Sequence, residues 1–220
     1  MRVSAPATGS GLPVIVFSHG YGWSMDGYAP PADHWAADGF VVVQPTHLDS
    51  RRLGIPAEDP RTPHIWRLRV DDLRRVLDGL AEVEAAVPGL RGRVDHERIA
   101  VAGHSWGAQT ASTLLGARVL DADGEPCEDL RDPPVRAGVL LAVTGLGDQL
   151  TPFAAEHSLG GIVGYGVAET TDENPARVAM IQRLTSAYLR SALGVDDTDR
   201  KEALTALDED PDAMGAVRSK

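Results

Sequence analysis

The sequence predicts an α/β fold with a mostly parallel sheet. Short apolar runs alternate with amphipathic segments along the chain, which is typical of successive strand–helix–strand units. The run at 99–103 leads directly into the pentapeptide Gly-His-Ser-Trp-Gly at 103–107, and a segment of mostly small residues follows it. A strand, a sharp turn and a helix in this order predict that Ser105 is a nucleophile held above the sheet.

Each strand is predicted from a short apolar run that ends at a polar residue, a glycine or a proline. The runs lie at 13–18, 40–44, 98–103 and 135–143, with room for one short strand near 2–5. Their Val- and Ile-rich composition indicates strands that are buried.

The helices are predicted from apolar periodicity and from their end signals. The clearest one spans 65–87, where Leu73, Val76, Leu77 and Leu80 follow helical spacing and Pro88-Gly89 ends the segment. The others span 28–38, 105–118 and 174–193, the last with Asn174 as its N-cap and Pro175 in its first turn. Polar loops are expected at 46–63 and 121–134.

The composition indicates one domain at 1–195 followed by an acidic, flexible tail at 196–220. A net charge of −11 argues against nucleic acid and anionic membrane surfaces as partners. No apolar run approaches the ~18 residues of a membrane span or forms a leader, so a cytoplasmic protein is expected. Cys127 is the single cysteine, and the histidines lack metal-ligand spacing, so neither a disulfide nor a metal site is expected.

Four segments of the chain resemble the α/β-hydrolases. The resemblance is to the bacterial group that includes platelet-activating-factor-acetylhydrolase-like, chlorophyllase-like, dienelactone-hydrolase-like and polyester-degrading esterases. The segments are 14–22, 36–45, 103–107 and 156–161, and they occur in the order of that fold. The resemblance implies a three-layer α/β/α sandwich and a serine hydrolase that cleaves small-molecule carboxylic esters without a cofactor.

Acyl transfer assigns a role to each candidate residue. Ser105 needs a base to take its proton, and His157 is the candidate, because it follows the nucleophile as the fold requires and lies in a glycine-rich loop. A surface histidine remains the alternative interpretation of His157. The oxyanion needs two N–H donors, the backbone of Trp106 and, by resemblance, that of Tyr21. Trp23, in the same loop as Tyr21, is predicted to face the cleft.

The chain departs from the family where the catalytic acid usually lies. Only residues 144–156 separate strand 135–143 from the histidine segment. Two further parallel strands with a connecting helix cannot fit there, because a crossover alone needs at least about 10–12 residues including its helix. The resemblance therefore implies that the sheet is shortened at its C-terminal edge, where two strands and the usual acid are absent. Strand 135–143 would become an exposed edge, open to pairing with a second copy of the chain as a homodimer.

Asp148 is the candidate acid, because it lies just beyond the end of strand 135–143 and within reach of the histidine loop. Glu156 and Asp49 are weaker alternatives. Two functions remain open at this point. The intact Ser105 motif favours an ester hydrolase, or more distantly an acyltransferase, whereas the missing strand favours an inactive protein that serves as a binding or assembly module.

Overall fold

Among the described residues, five strands form one sheet, which confirms the predicted α/β fold. The computed structural model describes residues 1–121, 123–143, 157–165, 167, 170 and 173–209. The strands are β1 (Arg2–Ser4), β2 (Leu12–Ser18), β3 (Val41–Gln44), β4 (Val94–His104) and β5 (Val135–Leu141). Their order in the sheet is β1-β3-β2-β4-β5, with β1 antiparallel to β3 and the remaining pairs parallel.

Helices cover both faces of the sheet and complete the expected three layers. They are α1 (Ala29–Ala37), α2 (Ile65–Asp78), α3 (Leu80–Ala86), α4 (Trp106–Leu114) and α5 (Pro175–Ala192). Strand β2 shows why two cores form, since alternate side chains of a strand point to opposite faces. Ile15 and Phe17 join the core beneath α1 and α5, while Val14 and Val16 join the core beneath α2, α3 and α4.

The predicted helix at 65–87 is interrupted at Gly79, which separates α2 from α3. Glycine is about 1 kcal/mol less favourable than alanine inside a helix, so a break at this residue is inexpensive. The apolar spacing continues across the break, because Leu77 and Leu80 both face the same core. Periodicity alone therefore did not reveal the interruption.

The acidic segment at 196–220 also differs from the expected tail. Residues Thr198–Asp208 form a helix, α6, with Ala203 and Leu207 buried at helical spacing. Arg190 of α5 makes an ion pair with Asp199 at 2.9 Å, which holds the first turn of α6 against α5. Residues 198–208 are thus packed on the domain, and residues 210–220 lie outside the described residues.

Strand β5 is one of the two edge strands among the residues that the structure describes, and Leu140 on it is 38% exposed. Homodimerisation through this strand stays a prediction. Across the described part of the chain, no helix combines the length and apolar character needed to cross a membrane.

Candidate active site

Ser105 lies at the turn between β4 and α4, as the pentapeptide predicts. Its backbone has φ 55° and ψ −123°, a conformation that a residue with a side chain adopts at a cost of about 1–3 kcal/mol. The Ser105 N–H donates to the carbonyl oxygen of Leu141 at 2.9 Å, which ties the turn to the end of β5. The side chain is held at the carboxyl edge of the sheet, where parallel α/β sheets bind their ligands.

Gly103 and Gly107 allow this turn to form, because neither position has room for a side chain. A Cβ atom on Gly103 would overlap the carbonyl group of Gly107. A Cβ atom on Gly107 would overlap the carbonyl oxygen of Ser18 at the end of β2. The two glycines therefore let α4 start directly against the sheet.

Two backbone N–H groups beside this turn have no hydrogen-bond acceptor within the described residues. They belong to Trp106, the first residue of α4, and to Tyr21 in the segment 19–23, which we call the β2 loop. The Tyr21 and Trp106 rings lie 5.5 Å apart, so the two segments are neighbours. Unpaired N–H groups at a helix start and in an adjoining loop are suited to binding an anionic oxygen.

The N–H groups of Gly20, Gly22 and Trp23, the residues around Tyr21, are occupied. Gly20 donates to the Tyr28 hydroxyl at 2.9 Å, and Gly22 donates to the Asp49 carboxylate at 3.1 Å. The Trp23 N–H donates to the Gly20 carbonyl at 3.2 Å. These bonds fix the backbone on both sides of Tyr21 and leave its own N–H available.

Arg69 of α2 connects the β2 loop to α4 from inside the protein. Its side chain is fully buried, and its Nη1 lies 2.7 and 2.8 Å from the two carboxylate oxygens of Asp49. Nη2 donates to the carbonyl oxygen of His19, and Nε donates to Thr110 at 3.2 Å. The guanidinium also lies 5.0 Å from the centre of the Trp106 ring, within the range of a cation–π interaction.

The Arg69 network was missed in the sequence, although a signal for it exists. Arg69 occupies a core-facing position of α2, four residues after Ile65 and four before Leu73. A charged residue among buried apolar ones needs a partner, because an unpaired buried charge is strongly unfavourable. Burial lowers the pKa of the guanidinium, while Asp49 opposes that change.

A second serine, histidine and acid lie in a row beneath the β2 loop. The Ser18 hydroxyl is 2.9 Å from His47 Nε2, and His47 Nδ1 is 2.9 Å from the Asp72 carboxylate. A carboxylate accepts, so Nδ1 carries the proton and Nε2 accepts from Ser18. Ser18 and His47 are fully buried, so this serine has no access to a substrate.

Burial keeps the histidines of this region neutral. It lowers the pKa of His47 well below the ordinary value, with the nearby Arg69 charge acting in the same direction. It also lowers the pKa of His19 to about 3, again helped by His47 and Arg69. His19 Nε2 accepts from the His47 N–H at 3.0 Å, so Nδ1 donates to the Gly20 carbonyl at 2.7 Å.

His157, the predicted base, lies beside the residue that precedes Ser105. The His157 and His104 rings have their centres 4.8 Å apart, and His104 Nε2 lies 2.9 Å from the His157 carbonyl oxygen. Both residues are therefore close to the turn that carries Ser105. Partial burial lowers the pKa of the His157 imidazole, so it is mostly neutral near pH 7.

The remaining sequence candidates divide into two groups. Asp148 and Glu156 lie outside the described residues. Asp49 does not serve His157 in the described arrangement, because its carboxylate is bound by Arg69 and by the Gly22 N–H. Trp23 packs against Tyr28 and also borders a surface cavity of about 400 Å³ with Arg51 and Arg52. The described residues contain no group of three or more potential metal ligands.

Comparison with known proteins supports the fold and identifies the family. The structure is similar to that of a ferulic acid esterase from Streptomyces cinnamoneus, with a TM-score of 0.55 and 18% sequence identity. The similarity covers 85% of this chain and 69% of that one, and at this identity it establishes the fold. The profile of the chlorophyllase family matches residues 1–120, which include both the β2 loop and the Ser105 turn. The chain therefore belongs to the chlorophyllase family of ester-hydrolysing α/β-hydrolases.

Proposed function

We propose that the protein hydrolyses small-molecule carboxylic esters through a covalent acyl intermediate on Ser105. His157 is the general base, and the backbone N–H groups of Tyr21 and Trp106 are the oxyanion donors. One observation carries the proposal. A serine on a strained strand-to-helix turn lies next to two neighbouring backbone N–H groups that have no acceptor among the described residues.

The chemistry follows from these groups. The Ser105 hydroxyl attacks the ester carbonyl carbon while His157 accepts its proton, and a tetrahedral oxyanion forms. The carbon–oxygen bond to the alcohol breaks, and His157 returns the proton to the departing alkoxide. A water molecule then attacks the acyl-serine, again with His157 as base, which releases the carboxylic acid and regenerates the serine.

The oxyanion hole is supported by the difference between adjacent residues. The N–H groups of Gly20 and Gly22 are engaged by Tyr28 and Asp49, whereas that of Tyr21 between them is not. Donors that are fixed before the substrate arrives do not reorganise during the reaction. Removing one such donor from a comparable site costs about 10²–10³ in kcat.

The His157 base is supported by its contact with His104, the residue next to Ser105, and by its lowered pKa. A base must be unprotonated at the working pH, and the lowered pKa satisfies that requirement. We assign the acid that orients His157 to Asp148, which follows β5 closely in the sequence.

A burst experiment with p-nitrophenyl acetate tests the proposal. We expect a rapid release of about one nitrophenol per active site, followed by a slower steady rate, because an activated ester acylates the serine faster than water removes the acyl group. Ser105→Ala should abolish the burst. Ser112→Ala, a serine of the same helix with its hydroxyl bound to the Gln109 carbonyl, is the matched control and should retain it.

Labelling with a fluorophosphonate identifies the reacting serine. We expect the probe on Ser105 and none on Ser18, because Ser18 is fully buried despite its histidine and aspartate neighbours. Equal slow rates for the wild type and Ser105→Ala would reject the enzyme and favour a binding or assembly module. Labelling at Ser18 would reject the assignment of the nucleophile.

A further inference from the structure

Hydrogen bonds around Tyr28 and His104 run in one direction from the β2 loop to His157. The Gly20 N–H donates to the Tyr28 hydroxyl at 2.9 Å, and that hydroxyl lies 2.9 Å from His104 Nδ1. His104 Nε2 lies 2.9 Å from the carbonyl oxygen of His157. Three short contacts thus join two segments that are more than 130 residues apart in the sequence.

The positions of the protons follow from the partners. A carbonyl oxygen only accepts, so His104 Nε2 must carry a hydrogen and donate it to His157. Burial lowers the pKa of His104 to about 4, so the ring is neutral near pH 7 and Nδ1 is an acceptor. Because Nδ1 is an acceptor, the Tyr28 hydroxyl donates its own hydrogen to it while accepting from the Gly20 N–H. Each contact in the row thus pairs one donor with one acceptor.

Tyr28 is held in one position by its packing and by its backbone. The residue is fully buried, and its ring packs against Phe17 with centres 4.8 Å apart. Its backbone has φ 65°, in the left-handed region, and its N–H donates to the Val163 carbonyl at 2.9 Å. A tyrosine adopts this backbone only where its surroundings determine it.

His104 makes the connection to the base. It is 3% exposed, it ends β4 directly before Ser105, and its ring packs 4.8 Å from the His157 ring. The His104 imidazole therefore donates a hydrogen bond to the backbone of His157 and also packs against its ring. In the sequence, His104 is one of the two variable residues of the pentapeptide and carries no sign of this contact.

We propose that Tyr28 and His104 are positioning residues that hold the β2 loop and His157 at a fixed separation across Ser105. This inference rests on the proposed function, in which Tyr21 stabilises the oxyanion and His157 transfers the proton in the same transition state. A shift of about 1 Å in either group costs up to about 100-fold in rate. We expect substitutions at Tyr28 and His104 to lower kcat and to leave KM nearly unchanged, because neither side chain contacts the substrate.

Tyr28→Phe and His104→Gln each remove one partner of the central hydrogen bond. We expect either variant to lower kcat by about 10- to 100-fold and to change KM by less than about twofold. The double variant should lose no more than about threefold beyond the worse single variant. Both substitutions interrupt the same row of hydrogen bonds, so their effects should not add. Tyr188→Phe, at an exposed tyrosine on α5, is the matched control and should keep the wild-type kcat.

Two results would overturn the proposal. One is a Tyr28→Phe kcat within about twofold of the wild type, and the other is a double variant in which the two single losses multiply in full. Thermal unfolding monitored by circular dichroism establishes that each variant is folded. Should Tyr28→Phe not fold, His104→Gln alone carries the kcat test.

Nitrogen NMR of the histidine rings tests the relay without using activity. In the Ser105→Ala variant near pH 7, we expect His104 with a protonated Nε2 and an unprotonated, hydrogen-bonded Nδ1. Adding Tyr28→Phe should shift the Nδ1 signal. A proton on His104 Nδ1 would contradict the inference. Failure of the proposed function looks different, because the wild type and Ser105→Ala would then hydrolyse esters at equal rates.

Discussion

Arg69 and Asp49 form an ion pair from which solvent is almost completely excluded, with side-chain exposures of 0% and 1%. The pair joins α2 to the loop that follows β3. It also supports the β2 loop from two sides, since Arg69 donates to the His19 carbonyl and Asp49 accepts from the Gly22 N–H. The separation between the two proposed oxyanion donors thus depends on a charge pair that never meets the substrate.

Breaking this pair should destabilise the fold strongly. Asp49→Asn leaves the Arg69 charge buried without a counter-ion, and we expect a loss of about 3–5 kcal/mol in the free energy of unfolding. Urea denaturation measures the change. Asp59→Asn, at a carboxylate whose partner Arg61 is half exposed, should cost much less. Similar losses for the two variants would contradict the role given to burial.

Acidification should unfold the protein through its buried histidines. The pKa is about 3 for His19, about 4 for His104 and well below 6.5 for His47, so the unfolded chain binds more protons between about pH 4 and 6.5. Stability therefore falls with decreasing pH by up to about 1.4 kcal/mol per pH unit for each histidine. Asp72 opposes this slightly near pH 4, because burial raises its pKa.

Urea unfolding at several pH values between about 4 and 7 measures this dependence. His64→Gln is the control, because His64 is exposed and the slope should not change. For His104→Gln we expect a shallower slope, since one buried neutral histidine is removed. A stability that stays constant across this range would show that these histidines are not held neutral.

Gly107→Ala should destabilise the protein, although helix propensity favours the opposite sign. Alanine is about 1 kcal/mol better than glycine within a helix. The added Cβ overlaps the Ser18 carbonyl, and forcing extra volume into a packed site costs about 1–3 kcal/mol. We expect a net loss of stability together with loss of the nitrophenol burst. Gln109→Ala, at an exposed position of α4, should change stability by less than about 0.5 kcal/mol.

Asp148→Asn should lower kcat by at least about tenfold if Asp148 orients His157, because the neutral amide does not hold the imidazole in its productive tautomer. Steady-state kinetics with p-nitrophenyl acetate measures the change. Asp123→Asn, in an exposed loop, is the matched control. An unchanged kcat for Asp148→Asn would make Asp148 an ordinary loop residue.

The pH profile of kcat/KM should locate the base. Burial lowers the pKa of His157, and the imidazole acts only when neutral. Activity is therefore present above that pKa and is lost as pH falls through it, so the acidic limb should have its midpoint below about 6.5. A midpoint above that value would contradict the assignment, and His64→Gln should leave the midpoint unchanged.

The sequence predicted what depends on local pattern. Apolar runs located β2, β3 and β5, and Asn174 caps α5 as expected, accepting from the Arg177 N–H at 3.0 Å. It did not predict the break at Gly79 or the packing of α6, because periodicity and charge are similar for a continuous helix, an interrupted helix and a solvated segment. Only contacts with α5 distinguish α6 from a tail.

In the candidate site, too, some features follow from the local sequence and others depend on tertiary packing. The Ser105 turn follows from residues adjacent in the chain, since two glycines and a strand before them suffice to specify it. The partners of Arg69, and the relay from Gly20 through Tyr28 and His104, join groups far apart in the chain. A hydrogen bond is sensitive to changes of a few tenths of an ångström in the distance between donor and acceptor. Only the packing of helices on the sheet sets these distances so closely. The sequence by itself therefore determined the fold and the turn that carries Ser105, and the tertiary structure decided how the surrounding groups are held.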